Sequence, residues 1–199
     1  MNVETSQVIE SIRSRRSVRK MTGDVPPREQ IEQILEAASW APNHHLTEPW
    51  RFIVIARDER KKLGEVLAEA VANKTQKTED PEQKKRDEEQ LRVEREKPLS
   101  APVVIAAIFS PKDEAKVIPQ EELVAAGAAL QNLLIAAHSL VLGTMIRTGR
   151  HSYAEQVRAF LGLNEKESLL GLVYLGYPSE PPKQTKRTPI DVKVEWRGL

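Results

Sequence analysis

"ILEAASWAPNHHLTEPWRFIVI", residues 34–55, decides the fold. Its first part continues REQIEQ from Arg28. Ile31, Ile34, Leu35 and Ala38 then recur at i, i+3, i+4 and i+7, one apolar stripe on an α-helix. Its last part runs on as WRFIVIA (50–56), a β-branched and aromatic stretch of strand length. Between them APNHHLTEP is bracketed by Pro42 and Pro49, which stop the helix and stiffen the connection. A helix, a rigid loop and a strand in one run point to a chain that layers helices on a sheet.

The same elements recur outward from there. Residues 5–14 read as a short helix with Val8, Ile9 and Ile12 on one face, ending where RSRRSVRKM (13–21) puts five basic side chains into nine positions. GDVPP (23–27) separates that stretch from the helix at Arg28. A further helix is expected over 58–72. From Asn73 to Lys97, sixteen of twenty-five residues are charged, too many for a core segment. Glu82 with Arg86, Lys84 with Glu88 and Glu88 with Arg92 stand four apart, which favours a solvated helical excursion over a linker between domains. APVVIAAIF (101–109) reads as a buried strand, and the run from about Gln120 to Leu142 as a helix apolar nearly all round. A short strand in GTMIRTG (143–149), a helix over 153–161 and a strand in SLLGLVYLG (168–176) follow; the tail KQTKRTPIDVKVEW (183–196) ends in β-like alternation. This order predicts an α+β or α/β architecture in one domain, 1–199.

Composition removes whole classes of function. The 199 residues contain no Cys, so disulfides, thiolate nucleophiles and thiolate-bound metals are excluded, and a reducing cytoplasm is the expected compartment. The first residues carry no apolar run of signal-peptide length, and export is not expected. The 123–143 stretch contains Gln131, Asn132 and His138, which argues for a buried helix rather than a membrane span. A net charge of +1 argues against bulk attraction to nucleic acid or anionic lipid. Basic chemistry must therefore be local.

No G-x-x-x-x-G-K-[ST], no G-x-G-x-x-G after a strand, no H-E-x-x-H and no G-x-S-x-G occurs. A bound phosphate would have to be held by side chains, and Arg presents the planar fork that fits phosphate oxygens. Arg15, Arg16, Ser17 and Arg19 at a helix exit meet that need, as does a second basic spot at Lys186 and Arg187; a solvated basic turn is the alternative for each. Asn43, His44 and Thr47, held between two prolines, suit a loop offering hydrogen bonds to a flat ligand, or a plain surface loop. His44 and His45 are adjacent and cannot chelate one ion from one face, so no metal site is expected. His138 reads as a core histidine, His151 as a loop residue without a visible partner.

Taken in order, these stretches resemble the landmarks of the FMN-dependent nitroreductase family. RRSVRKM looks like its R-R/H-S-x-R/K-x-F/Y element, the 34–55 run like its helix, A-P loop and first core strand, and GLVYLGYPSEPPKQTKRTP like its closing L-G-Y-P strand and basic K-x-R-x-P segment. The APNHH loop is most similar to a branch of short NAD(P)H nitroreductases. The resemblance implies a three-layer α+β sandwich, its central, mostly antiparallel sheet flanked by helices, in an interlocked homodimer with FMN at the interface. It further implies hydride transfer from NADH or NADPH to nitroaromatic or quinone-type acceptors by a ping-pong mechanism, with the flavin rather than a catalytic side chain carrying the chemistry. Position by position, Arg15, Arg16 and Ser17 match the phosphate and ribityl end, with Lys186 and Arg187 adding charge there. Arg19 matches the flavin N1/O2 edge. Asn43 and His44 match loop positions reaching FMN from the partner subunit, while Ile146, Arg147 and Thr148 match a segment on the cofactor's other side. Ala136 to Val141 match a stretch near the dinucleotide. Met21 departs from the usual aromatic and Glu48 from the usual Gln. Two other readings stand beside this one: a flavin enzyme of the same fold that dehydrogenates or dehalogenates a small substrate, and a nucleic-acid or partner-binding module using residues 13–20. The 73–97 excursion is either a lid over the cleft or an inert helix.

Overall fold

A computed structural model describes residues 6–73, 79–112 and 116–198. Helix α1 (Gln7–Ser14) leads to α2 (Arg28–Ser39) and strand β1 (Trp50–Ala56). Helices α3 (Glu59–Ala72) and α4 (Pro81–Glu96) precede β2 (Val103–Phe109), and α5 (Pro119–Ser139), β3 (Gly143–Arg147), α6 (Glu155–Phe160) and β4 (Ser168–Gly176) complete the order. The sheet runs β1-β2-β4-β3, every neighbour antiparallel.

β2 and β4 lie in the middle of the sheet, which is why their sequences are unbroken apolar runs rather than alternations. Apart from Phe109 at the end of β2 and Ser168 and Leu170 at the start of β4, their side chains are buried, on opposite faces in turn. Val103 and Ile105 of β2 and Val173 and Leu175 of β4 meet Ile31, Ile34 and Ala38 of α2 and Leu133, Leu134 and Ala137 of α5. Val104, Ala106, Ile108, Leu172 and Tyr174 meet Leu63 and Leu67 of α3, with Val157 and Leu161 at α6. The result is the expected three-layer sandwich with an antiparallel sheet between helices.

The charged excursion is helical over Pro81–Glu96, as the four-residue charge spacing predicts; residues 74–78 of it lie outside the described residues. It docks rather than hangs free. Gly64 of α3 passes so close to the Arg95 carbonyl that a Cβ at 64 would overlap it, and Arg95 Nε meets Glu65 at 2.7 Å. Gly64→Ala is therefore expected to push α4 off α3 and cost about 1–3 kcal/mol, read as a lower urea midpoint.

One expectation changes here. The tail is not a strand: only a 3-10 turn at Ile190–Lys193 is regular, and Ile190, Val192, Val194 and Trp196 are all exposed. Alternation produces a strand only where a face and an edge exist to receive it, and the single chain offers this tail neither. Helix α1 forms as expected, capped by Ser6 accepting from Ile9 N at 3.3 Å, and its Val8, Ile9 and Ile12 face solvent. Among the described residues no helix is long and apolar enough to cross a membrane.

Candidate functional site

The basic stretch is laid along the sheet by its backbone. After α1 ends at Ser14 the chain becomes extended, Ser17 forms a parallel bridge with Thr144, and Val18 N donates to Thr144 O at 2.9 Å. Farther on, Thr22 N donates to Tyr177 O at 2.8 Å and Ser179 N to Lys20 O at 3.1 Å. Residues 17–22 thus lace the start of β3 to the end of β4. Gly143 permits this approach, because a Cβ there would stand 2.8 Å from Val18 Cβ. α5 delivers the chain to Gly143 through a tight C-terminal turn in which Leu142 N bonds Ala137 O at 2.9 Å and Val141 N bonds His138 O at 3.0 Å. Val141 takes the left-handed position of that turn at φ 61°, a strained conformation for a β-branched residue.

Three arginines collect where the strap begins. Arg15 and Arg16 are half-buried, and Arg187, 171 residues on from Arg16, comes near enough for its charge to be felt at Arg15. Burial first, then Arg16 and Arg187, hold the Arg15 guanidinium below its ordinary pKa. Arg16 Nη1 donates to the carbonyls of Arg13 and Arg15, the latter at 2.8 Å, while its Nε is buried with no acceptor among the described residues. Among the described residues no carboxylate lies within ion-pair distance of Arg15, Arg16 or Arg187. Ser17 is exposed beside them, as is Lys186 next to Arg187. Lys20 instead pairs with Glu180 at 3.0 Å and is neutralised. The three arginines thus form a cradle of positive charge with no carboxylate partner among the described residues.

Beyond it, along β3, a cavity of about 250 Å³ opens between the β3–α6 turn and the C-terminal end of α4. Arg147 and Thr148 line it with Glu94, Lys97, His151 and Tyr174. The Arg147 guanidinium lies 4.9 Å from the centre of the Tyr174 ring, and burial is the main reason the phenol is pushed up to about 12. Glu94 is buried and paired with Lys97. Among the described residues, Arg147 Nε and His151 Nδ1 are buried without hydrogen-bond partners. A smaller hollow lined by Arg19, Met21, Met145, Arg147 and Tyr174 adjoins, so Arg19 and Arg147 share one surface. Ile146 also borders the cavity while packing, partly buried, against the α2–α5 core. Sequence reading passed over Glu94, Lys97 and Tyr174 because only the docking of α4 and the Met145–Tyr174 register bring them together. The available signal for His151 was its own lack of a partner.

The APNHH loop is elsewhere. Asn43 spends its side chain on the loop, Nδ2 donating to Ala41 O at 3.1 Å and Oδ1 accepting from Glu48 N at 3.0 Å. Thr47 is buried and bonds His44 O at 3.1 Å. These bonds hold His45, Leu46 and Glu48 at positive φ, strained for all three. His44 projects outward, 4.0 Å from Glu121 in the first turn of α5. The cradle is at the other end of that helix, where His138 meets Ser14. Seventeen residues of α-helix separate Glu121 from His138, about 25 Å at 1.5 Å per residue. Within one chain the loop and the cradle do not meet. His138 also corrects its sequence reading: it is half-exposed beside the cradle, not in the core.

An antiparallel sheet between two helical layers, with arginines gathered at the start of its edge strand, defines an α+β protein. The chain belongs to the nitroreductase family, a class of oxidoreductases, whose family model matches residues 12–177. It is 32% identical over 179 residues to YfhC of Bacillus subtilis, provisionally named an NAD(P)H nitroreductase, covering 90% of this chain and 88% of that one. The solved nitroreductase-like family protein from Bacillus cereus aligns over the whole of both chains with a TM-score of 0.78 and 28% identity. A nitroreductase of Desulfovibrio desulfuricans, crystallised in complex with FMN, aligns with a TM-score of 0.71 and 26% identity over 98% of this chain and all of that one.

Proposed function

We propose that the protein is a homodimeric FMN-dependent oxidoreductase that takes hydride from NADH or NADPH and reduces nitroaromatic or quinone-type acceptors by a ping-pong mechanism. The observation that carries this reading is the cradle: Arg15, Arg16 and Arg187 gathered without a carboxylate, with Arg16 Nε buried and lacking an acceptor. The phosphate monoester of FMN carries about −1.5 to −2 charge near neutral pH and three acceptor oxygens, which is what this cluster lacks. Ser17 and Lys186 border the same point. Arg19 and Arg147, sharing one hollow, would favour negative charge at the flavin N1/O2 edge. Ile146 and Thr148 flank Arg147 at the end of β3 and would line the same side of the site. FMN, when bound, supplies the hydride-accepting and electron-donating chemistry; the chain's residues bind it, orient it and shape the space beside it.

The separation of loop and cradle along α5 supports a dimer. His44, and Asn43 through its remaining amide proton, reach a cradle only on a second copy of the chain. Val8, Ile9 and Ile12 of α1, Val124 of α5 and Trp196 of the tail are exposed apolar residues that such a partner would cover. The whole of 1–199 then acts as one domain, with α4 as the cover of the cleft through Glu94 and Lys97. Absence of Cys suits a reducing cytoplasm.

The test is a visible spectrum of the protein loaded with FMN, bleached by anaerobic NADH or NADPH and recovered on adding a nitroaromatic or quinone. Bleaching without recovery by either acceptor would favour dehydrogenation or dehalogenation on the same fold. Failure to bind FMN, with salt-sensitive binding to RNA or DNA, would move the 13–20 cluster to the nucleic-acid reading.

A further inference from the structure

Ser14 ends α1 one residue before the cradle, and its hydroxyl is committed on both sides. Its single proton goes to Glu10 O at 2.7 Å, and His138 Nε2 lies 2.8 Å from the same oxygen. An oxygen that has given its proton away can only accept, so Nε2 carries the hydrogen. That fixes the tautomer: the neutral imidazole is protonated at Nε2 and keeps a lone pair on Nδ1. No protein group among the described residues bonds Nδ1. His138 therefore has one nitrogen anchored and one free to take a proton, beside the arginines that await an anion.

The surrounding charges decide when it does. From α1 and the strap the imidazole faces Ser14, Arg15 and Arg16, with Arg187 of the tail beyond Arg15. From its own helix it faces the C-terminal carbonyls of α5, which favour a cation. Burial and the two arginines outweigh those carbonyls and hold His138 below its ordinary 6.5, so near neutral pH it is uncharged in the protein alone. A phosphate dianion seated on the arginines reverses the sign of the field.

We infer that His138 is a fourth cation of the phosphate site, taking a proton from solvent onto Nδ1 as the phosphate monoester binds. The inference rests on FMN being the cofactor, and it makes cofactor affinity proton-linked. The linkage has a definite sign. If binding raises the imidazole's affinity for protons, binding is strengthened below the free-state pKa, and the gain fades as pH rises through the bound-state value. A shift of one pKa unit corresponds to about tenfold in Kd. The second ionisation of the phosphate, near 6, acts oppositely, because the dianion binds better at higher pH.

Two measurements separate these terms. Flavin fluorescence titrations of the wild type and of His138→Gln with FMN from pH 5.5 to 8.5 share the phosphate's own ionisation, so the ratio of their Kd values isolates the imidazole. The ratio is expected to be about tenfold at pH 5.5 and to fall toward one at 8.5. Calorimetry of the wild type and of His138→Gln in two buffers of different ionisation enthalpy counts the protons: at pH 7 the wild type should take up a fraction of a proton more than the variant on binding FMN, and the two should not differ on binding riboflavin, which lacks the phosphate. A ratio that is constant with pH, or equal proton counts for the wild type and His138→Gln on binding FMN, would overturn the inference while leaving FMN binding intact. Failure of the wild type to bind FMN at any pH would instead overturn the cofactor reading and this inference together.

Discussion

Replacing Arg15 and Arg16 together by Ala is expected to weaken FMN binding by about two to four orders of magnitude. Charged hydrogen bonds are each worth about 1.5–3 kcal/mol, so losing two removes about 3–6 kcal/mol. The expectation has a second half, because the two residues are a cost in the protein alone. Arg15 is half-buried among like charges, and Arg16 Nε is buried without an acceptor. The double variant should therefore unfold at the same temperature as the cofactor-free wild type, or higher. FMN should raise the melting temperature of the wild type and not of the variant, since a ligand stabilises only the state that binds it. Fluorescence titration together with melting curves separates a binding role from a structural one. Unchanged FMN affinity would remove the cradle as the phosphate site. A melting temperature lowered without FMN would mean that the arginines hold the fold instead.

What the sequence told follows from which interactions are local. Helix α2 and strand β4 were legible almost to the residue, because a 3.6-residue stripe and a nine-residue apolar run bounded by polar residues each have one explanation. Charges spaced by four announced α4, but not its docking, which depends on the one position of α3 where a missing Cβ lets the Arg95 backbone in. The tail misled because alternation reports only that side chains will be divided between two faces, not that a partner for either is present in the same chain. Arg15, Arg16 and Arg187 were singled out from two basic segments, yet their convergence depends on the strap between β3 and β4, a long-range arrangement. His138 was misplaced for a related reason. A helix apolar nearly all round gives no phase, so which residue of its last turn faces α1 could not be read. Asn43, which the sequence offers as a hydrogen-bonding residue for a flat ligand, also braces its own loop, since Asn is apt for either task.

The largest stability effect is expected far from the cradle, at Glu167. Arg51 on β1 grips this buried carboxylate with both arms of its fork, Nε to Oε1 at 2.9 Å and Nη2 to Oε2 at 2.8 Å. Asn164 N donates to Oε2 at 3.1 Å, and Arg158 ties the loop to α6 through Glu167 O at 2.8 Å. The pair fastens the turn before β4 to the opposite edge of the sheet. The bond from Arg51, chiefly, lowers the Glu167 pKa from the usual 4.5 to about 2. A carboxyl whose pKa is depressed in the folded protein contributes stability above its unfolded value, and loses it as pH falls through the folded one. Glu167→Gln is accordingly expected to cost on the order of 2–3 kcal/mol at pH 7, and about half as much at pH 3, where the wild-type advantage is fading. Urea unfolding of both proteins at the two pH values measures this directly. Against a typical domain stability of about 5–15 kcal/mol, such a loss is large enough to see as a shifted midpoint. If the difference between the two proteins is the same at pH 3 as at pH 7, the stabilisation comes from the shape of the side chain, which Gln shares only in part, and not from its charge. A difference that shrinks with acidity assigns it to the Arg51 ion pair, and with it the anchoring of β4 beside the strap that carries Arg15 and Arg16.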